Sequence, residues 1–249
     1  MKFFPSGIFQ CLLLVIIWLL IIAIIYLLYN IFDFDIEDYQ LTTYIFLISS
    51  LTLIIILFLY NIKNKEYRIK VNFNGFNLLP KTVLLLLIYQ ILILAPLQNA
   101  FLESNKRDNF TLLFFLNAIL ISPIIEETIF RGFILRGLLI KHKPIYAITF
   151  SMLLFSITHL NVAQISFVQL LTPIYTGVLL GYLFYKTNNL LLSITTHSIS
   201  NMLGIMSQML FDNIHQKTNM SISNLKIVYS LLITIAILFI MIMLRKNNK

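Results

Sequence analysis

The chain reads as an all-α, polytopic membrane protein: a helical bundle of about eight transmembrane helices forming one domain over residues 1–249. Three observations predict this class. Of 249 residues, 59% are apolar and only 11% charged, against about 45–50% and about 25% in soluble domains. The apolar residues fall in runs of about 20, the length of helix that crosses a hydrocarbon core. Eighteen Lys/Arg, ten Asp/Glu and four His cannot coat a soluble exterior, whereas helices that satisfy their own backbone can leave apolar side chains facing lipid.

Taken in order, the runs place spans near 8–32, 41–62, 82–102, 111–130, 145–162, 165–185, 189–211 and 227–244. The first exceeds 20 residues and has no small-residue cleavage pattern after it, so it is expected to be retained and not removed as a signal peptide. The run "VNFNGFNLLP" (71–80) reads as interfacial. The stretch "GFILRGLLIKHK" after Arg131 is able to prolong the fourth helix. No internal repeat, soluble domain or long linker is visible. Gly177 and Gly181, just after Pro173, make a G-x-x-x-G suited to close helix packing beside a kink.

Loop charges set an expected orientation. Lys63, Lys65, Arg68, Lys70, Lys141, Lys143, Lys186, Arg245, Lys246 and Lys249 fall on one side, which the positive-inside rule makes cytoplasmic, with both termini. The net charge of +8 therefore reports topology and anionic headgroups, and no nucleic-acid partner is expected. Cys11 is the only cysteine, which excludes an intramolecular disulfide and a sulfur-based metal site. Tyr26, Tyr29, Tyr60, Tyr146, Tyr182 and Tyr185 lie near span ends and suit interfacial anchoring. His142, in "KHK", and His215, in an expected polar loop, read as solvated.

Against that background "IIEETIFRGF" (124–133) is out of place. A carboxylate at the centre of a spanning helix costs about 2.5–3.5 kcal/mol on insertion scales, so such groups face protein or a wet cavity. Glu127 and Arg131 are four apart with the acid N-terminal, the favourable arrangement for an ion pair. Glu126 points about 100° away and is free to address another partner. Two further polar groups interrupt apolar spans: "FSITH" (155–159) on the fifth, and "HSISN" (197–201) on the seventh. Phe155 lies one turn before His159, and His197 and Asn201 share a face. A carboxylate, two imidazoles and an amide converging on one cavity would suit hydrolysis. The carboxylate takes a proton from water, an imidazole orients or activates that water, and donors stabilise the oxyanion of an attacked carbonyl.

In order and spacing, Glu126-Glu127-x-x-x-Arg131, Phe155-x-x-x-His159 and His197-x-x-x-Asn201 resemble the three motifs of the CAAX-protease and bacteriocin-processing (CPBP) family. This family is also called Abi, or type II CAAX prenyl endopeptidases. "FRGFILRGL" continues the resemblance, which covers about residues 110–205. It implies an intramembrane endopeptidase acting on a peptide or small protein in the lipid bilayer, with Glu126 and His159 acting on water. His197 and Asn201 would support the oxyanion or complete a metal site; Glu127, Arg131 and Phe155 would support the architecture. The family is commonly labelled metalloprotease, and a divalent metal such as zinc, if used, would fall to Glu126, His159 and His197. H-E-x-x-H is absent, however, and a glutamate–histidine pair activating water alone is the slightly favoured form. Ile, Asn, Lys and Phe richness suggests an AT-rich bacterial genome, and with it maturation, export or self-immunity of a small peptide. Two other classes stay open: a non-catalytic immunity or scaffold protein, which would tolerate Glu126→Gln, and a proton-coupled transporter, against which the missing inverted repeat counts.

Overall fold

The computed structural model describes residues 4–32, 38–62, 73–90, 112–160 and 167–218. These residues contain seven helices and no strand: α1 (Ile8–Phe32), α2 (Asp38–Asn61), α3 (Leu79–Tyr89), a composite α4 (Leu112–Leu139), α5 (Pro144–Ile157), α6 (Phe167–Thr187) and α7 (Leu190–Thr218). Three of them are long and apolar enough to cross a membrane, over Ile8–Tyr29, Thr43–Asn61 and Leu112–Leu139. The chain is an integral membrane protein. The expected eighth span at 227–244 and the second half of the third lie outside the described residues, as do the charged loops 63–70 and 103–110.

Two expectations are corrected. The fifth span was drawn to residue 162, yet α5 stops at Ile157. Its 14 residues reach about 21 Å, short of a hydrocarbon core of about 30 Å. His159 therefore sits in the turn after a helix, not on its face. His215 lies within α7 and not in a loop; no Gly or Pro follows Gly204 before Thr218 to end the helix sooner. The fourth helix does continue past Arg131, to Leu139.

One core joins the N-terminal helices to the rest. Leu14, Val15 and Trp18 of α1 and Leu53 and Leu57 of α2 pack in the same cluster as Ile129, Phe130 and Phe133 of α4 and Phe155 of α5. Two polar contacts tie the N-terminal part together. Trp18 Nε1–H donates to Ser49 Oγ at 3.3 Å across α1 and α2. Asn61 closes the pair, accepting from Phe4 N at 2.9 Å and donating to Phe4 O at 2.7 Å.

The G-x-x-x-G of α6 faces α5. A Cβ on Gly177 would stand 2.9 Å from Met152 Cγ, and one on Gly181 3.1 Å from Ile148 Cγ2. Bare backbone is what allows this approach. Gly75 answers a different need: φ is +82°, and a Cβ there would collide with Thr187. Asn189 fixes the same corner. Its Oδ1 accepts from Leu192 N at 3.1 Å, capping α7, while its Nδ2 donates to Asn74 O at 2.8 Å.

Candidate active site

The local structure of α4 begins with a proline. Pro123 has no N–H to donate into the preceding turn. That turn is opened into π-helical pitch over Asn117–Ile121, with Ser122 N bonded to Asn117 O. In this five-residue register the donor owed to Ala118 O is the N–H of residue 123, which proline lacks. The Nδ2 of Asn201 on α7 supplies it, at 2.8 Å. A backbone acceptor without water at hand must be paired inside the protein, so Asn201 pins α7 to the turn that carries the acids. A second π segment, Thr128–Leu135, follows them. Such insertions recur at functional sites because they re-aim side chains within a helix.

Glu126 and Glu127 sit between the two π segments, both buried. Glu127 is fully enclosed. Its Oε1 accepts from Arg131 Nη1 at 2.8 Å and from His197 Nδ1 at 2.9 Å. Arg131 is itself 1% exposed; its Nη2 donates to Gly177 O at 3.3 Å, and its guanidinium lies 4.7 Å from the Phe155 ring centroid. Glu126 turns the other way. Its Oε2 is 3.5 Å from His159 Nε2 and 3.8 Å from His197 Nε2.

Each imidazole is oriented from behind. His159 Nδ1 is 2.7 Å from Phe155 O, and a carbonyl only accepts, so Nδ1 carries the proton. His197 Nδ1 likewise donates to the Glu127 carboxylate. Both Nε2 atoms are thus turned toward Glu126. Phe155 completes the frame with ring centroids 4.4 Å from His159 and 5.9 Å from His197. Glu126 Oε2 is buried and has no hydrogen-bond partner. An unpaired buried acceptor between two imidazoles is where a water, or the proton it gives up, is accommodated.

Residues 108–203 match the family model for Rce1-like type II CAAX prenyl endopeptidases. Over this segment the chain is similar to that family. No curated protein matches the chain. The Rce1-like family implies a peptidase, of the CAAX-type intramembrane kind, and with it a peptide substrate.

Of the residues singled out in the sequence, the fold brings Glu126, Glu127, Arg131, Phe155, His159 and His197 into one cluster. Asn201 reaches the same helix through Ala118 O rather than through the acids. A cavity of about 330 Å³ lies in front of Glu126 and His159, and part of its lining is not marked by the motifs. Asn117 and Ser122 line it, with Ser122 Oγ–H donating to Asn117 Oδ1 at 3.3 Å. So do Trp18 and Phe46, which lie outside the Rce1-like segment. Asn117 was detectable in the sequence, as a polar residue two turns before the acids in an apolar run. Trp18, Leu19, Ile22 and Phe46 carried no such signal, being apolar residues in apolar spans.

Among the described residues, no group of three His, Cys, Asp or Glu has the geometry to hold a metal ion. Glu126 Oε2 lies 3.5 and 3.8 Å from the Nε2 atoms of His159 and His197, and the charge of the Arg131 guanidinium beside them is matched by Glu127 at 2.8 Å.

Proposed function

We propose that the protein is an intramembrane endopeptidase that hydrolyses a peptide bond with water activated between Glu126 and His159, without a metal. The observation that carries this reading is the unpartnered Glu126 Oε2 facing two Nε2 atoms beside a cavity. Water held there donates one proton to Glu126 and one hydrogen bond to His159 Nε2, whose ring is fixed by Phe155 O. Its oxygen adds to the scissile carbonyl carbon. The resulting oxyanion is met from the α7 side by the second N–H of Asn201 Nδ2, the first being on Ala118 O. Collapse breaks the C–N bond, and Glu126 returns its proton to the leaving amine. Glu127 and Arg131 keep His197 and Glu126 in place throughout.

The substrate we propose is a small peptide precursor, processed for maturation, export or self-immunity in a bacterial cell membrane, with both termini of the enzyme cytoplasmic. The test compares purified wild type, Glu126→Gln and His159→Ala, each shown to be folded, on candidate precursor peptides followed by mass spectrometry. General acid–base groups of this kind contribute about 10²–10⁴-fold, so both variants should lose at least about a hundredfold in turnover. Equal cleavage by all three would remove the assignment. A non-catalytic immunity or scaffold protein would bind the peptide and leave it intact.

A further inference from the structure

The cavity in front of the reactive pair is built by two unlike parts of the chain. Glu126, His159, Asn117 and Ser122 make its polar side. The facing, mostly apolar side comes from α1 and α2, through Trp18, Leu19, Ile22 and Phe46 with Thr43 beside them, all outside the segment 108–203. We propose that this α1–α2 wall is the side-chain pocket that selects the substrate residue next to the scissile bond, and that it takes an apolar side chain. The proposal rests on the hydrolytic reading above and adds the selecting residues to it.

Three observations support it. First, the wall is rigid where selectivity needs it to be. Trp18 is 3% exposed; its indole N–H is held on Ser49 Oγ at 3.3 Å, and Ser49 Oγ–H in turn donates to Phe46 O at 3.1 Å. The indole packs edge-on against Phe130 with centroids 6.3 Å apart, and Phe130 packs against Phe155 at 5.1 Å. The plate that would touch the side chain is thereby coupled by contact to the ring that seats both histidines. Second, location fixes which residue is read. The reactive pair and the apolar wall bound one volume, so a carbonyl at Glu126 and His159 places its neighbouring side chain against Trp18 and Phe46. Third, the chemistry excludes the alternatives. The one carboxyl group in the lining is that of Glu126, and the α1–α2 wall offers no cation to balance an acidic side chain. Pockets of this size and composition bind by apolar contact, with a few polar groups fixing orientation.

Trp18 is the only tryptophan in the chain, so its emission reports occupancy of this cavity directly. The full-length Glu126→Gln protein in lipid nanodiscs is titrated with decapeptides that have randomised flanks and one fixed position, Ala, Leu, Phe or Asp. In parallel, wild type is incubated with the same peptides and products are read by mass spectrometry. Leu and Phe peptides should shift Trp18 emission saturably and bind about tenfold or more tighter than Ala, because a few methylenes in an apolar pocket discriminate on that scale. The Asp peptide should give no shift. Phe46→Ala, which enlarges the pocket, should tilt the ranking toward Phe; Leu19→Phe, which fills it, should tilt the ranking toward Ala and serves if the first variant does not fold. Equal or absent responses across the four peptides, or a ranking unchanged in folded variants, would overturn the proposal. Cleavage by wild type without side-chain preference would sink the pocket and leave the hydrolytic reading intact. Ranked binding without any cleavage would do the reverse.

Discussion

Asn201 offers the sharpest test of how α4 is built. Asn201→Leu keeps the volume and removes the donor on Ala118 O, now 2.8 Å away. The carbonyl has no substitute, because Ser122 N is bonded to Asn117 O and residue 123 is proline. An unpaired acceptor costs about 1–3 kcal/mol when fully buried, whereas this bond is part-buried and side-chain hydrogen bonds measured within membranes average nearer about 0.6 kcal/mol; a loss of about 1 kcal/mol is expected. Pro123→Ala restores an N–H in the position the π register requires. In that background Asn201→Leu should cost at least about 0.5 kcal/mol less, the margin beyond which two sites are coupled rather than additive. The assay is equilibrium unfolding in mixed micelles, titrated with SDS and followed by far-UV circular dichroism. Peptide cleavage in the same four proteins separates the two roles of Asn201. If it also donates to the oxyanion, turnover stays about 10²–10³-fold down in the double variant although stability has returned. An identical cost in both backgrounds would refute the orphaned-carbonyl account.

Arg131→Met strands the Glu127 carboxylate with His197 as its remaining partner, at 2.9 Å. Breaking a buried pair in this way is expected to lower stability by about 3–5 kcal/mol, and Glu127→Gln with Arg131→Met should cost clearly less than the two single losses summed. Additive losses in the SDS titration would mean the pair does not act as a unit. Gly177→Ala places a methyl 2.9 Å from Met152 Cγ and should cost about 1–3 kcal/mol by overpacking; thermal unfolding should show Met152→Ala recovering part of it. Asn61→Leu removes bonds to both Phe4 N and Phe4 O, and should lower stability by about 1–3 kcal/mol with no change in peptide cleavage per folded molecule. A chelator should leave turnover within about twofold of untreated enzyme, since the chemistry proposed needs only the positioned acid and imidazole; loss restored by zinc would reassign the site to metal.

What the amino-acid order determined unaided was the apolar setting, the helical class and the charged and imidazole residues that meet in one cluster. Backbone satisfaction in lipid admits few architectures, and a carboxylate in an apolar run is costly enough to mark itself: Glu126, Glu127, Arg131, His159 and His197 were legible for that reason. Spacing along one helix also foretold the Glu127–Arg131 pair, because i,i+4 neighbours meet whatever the rest of the chain does. Local pattern reached no further. That α5 ends at Ile157 and leaves His159 in a turn, that His197 bridges the two acids, and that Asn201 answers a carbonyl orphaned by Pro123, all depend on π turns and on how α7 lies against α4. The apolar wall was beyond sequence reading altogether. Trp18 and Phe46 are apolar residues in apolar spans, and only tertiary packing, which chooses the helix faces that meet, sets them opposite Glu126.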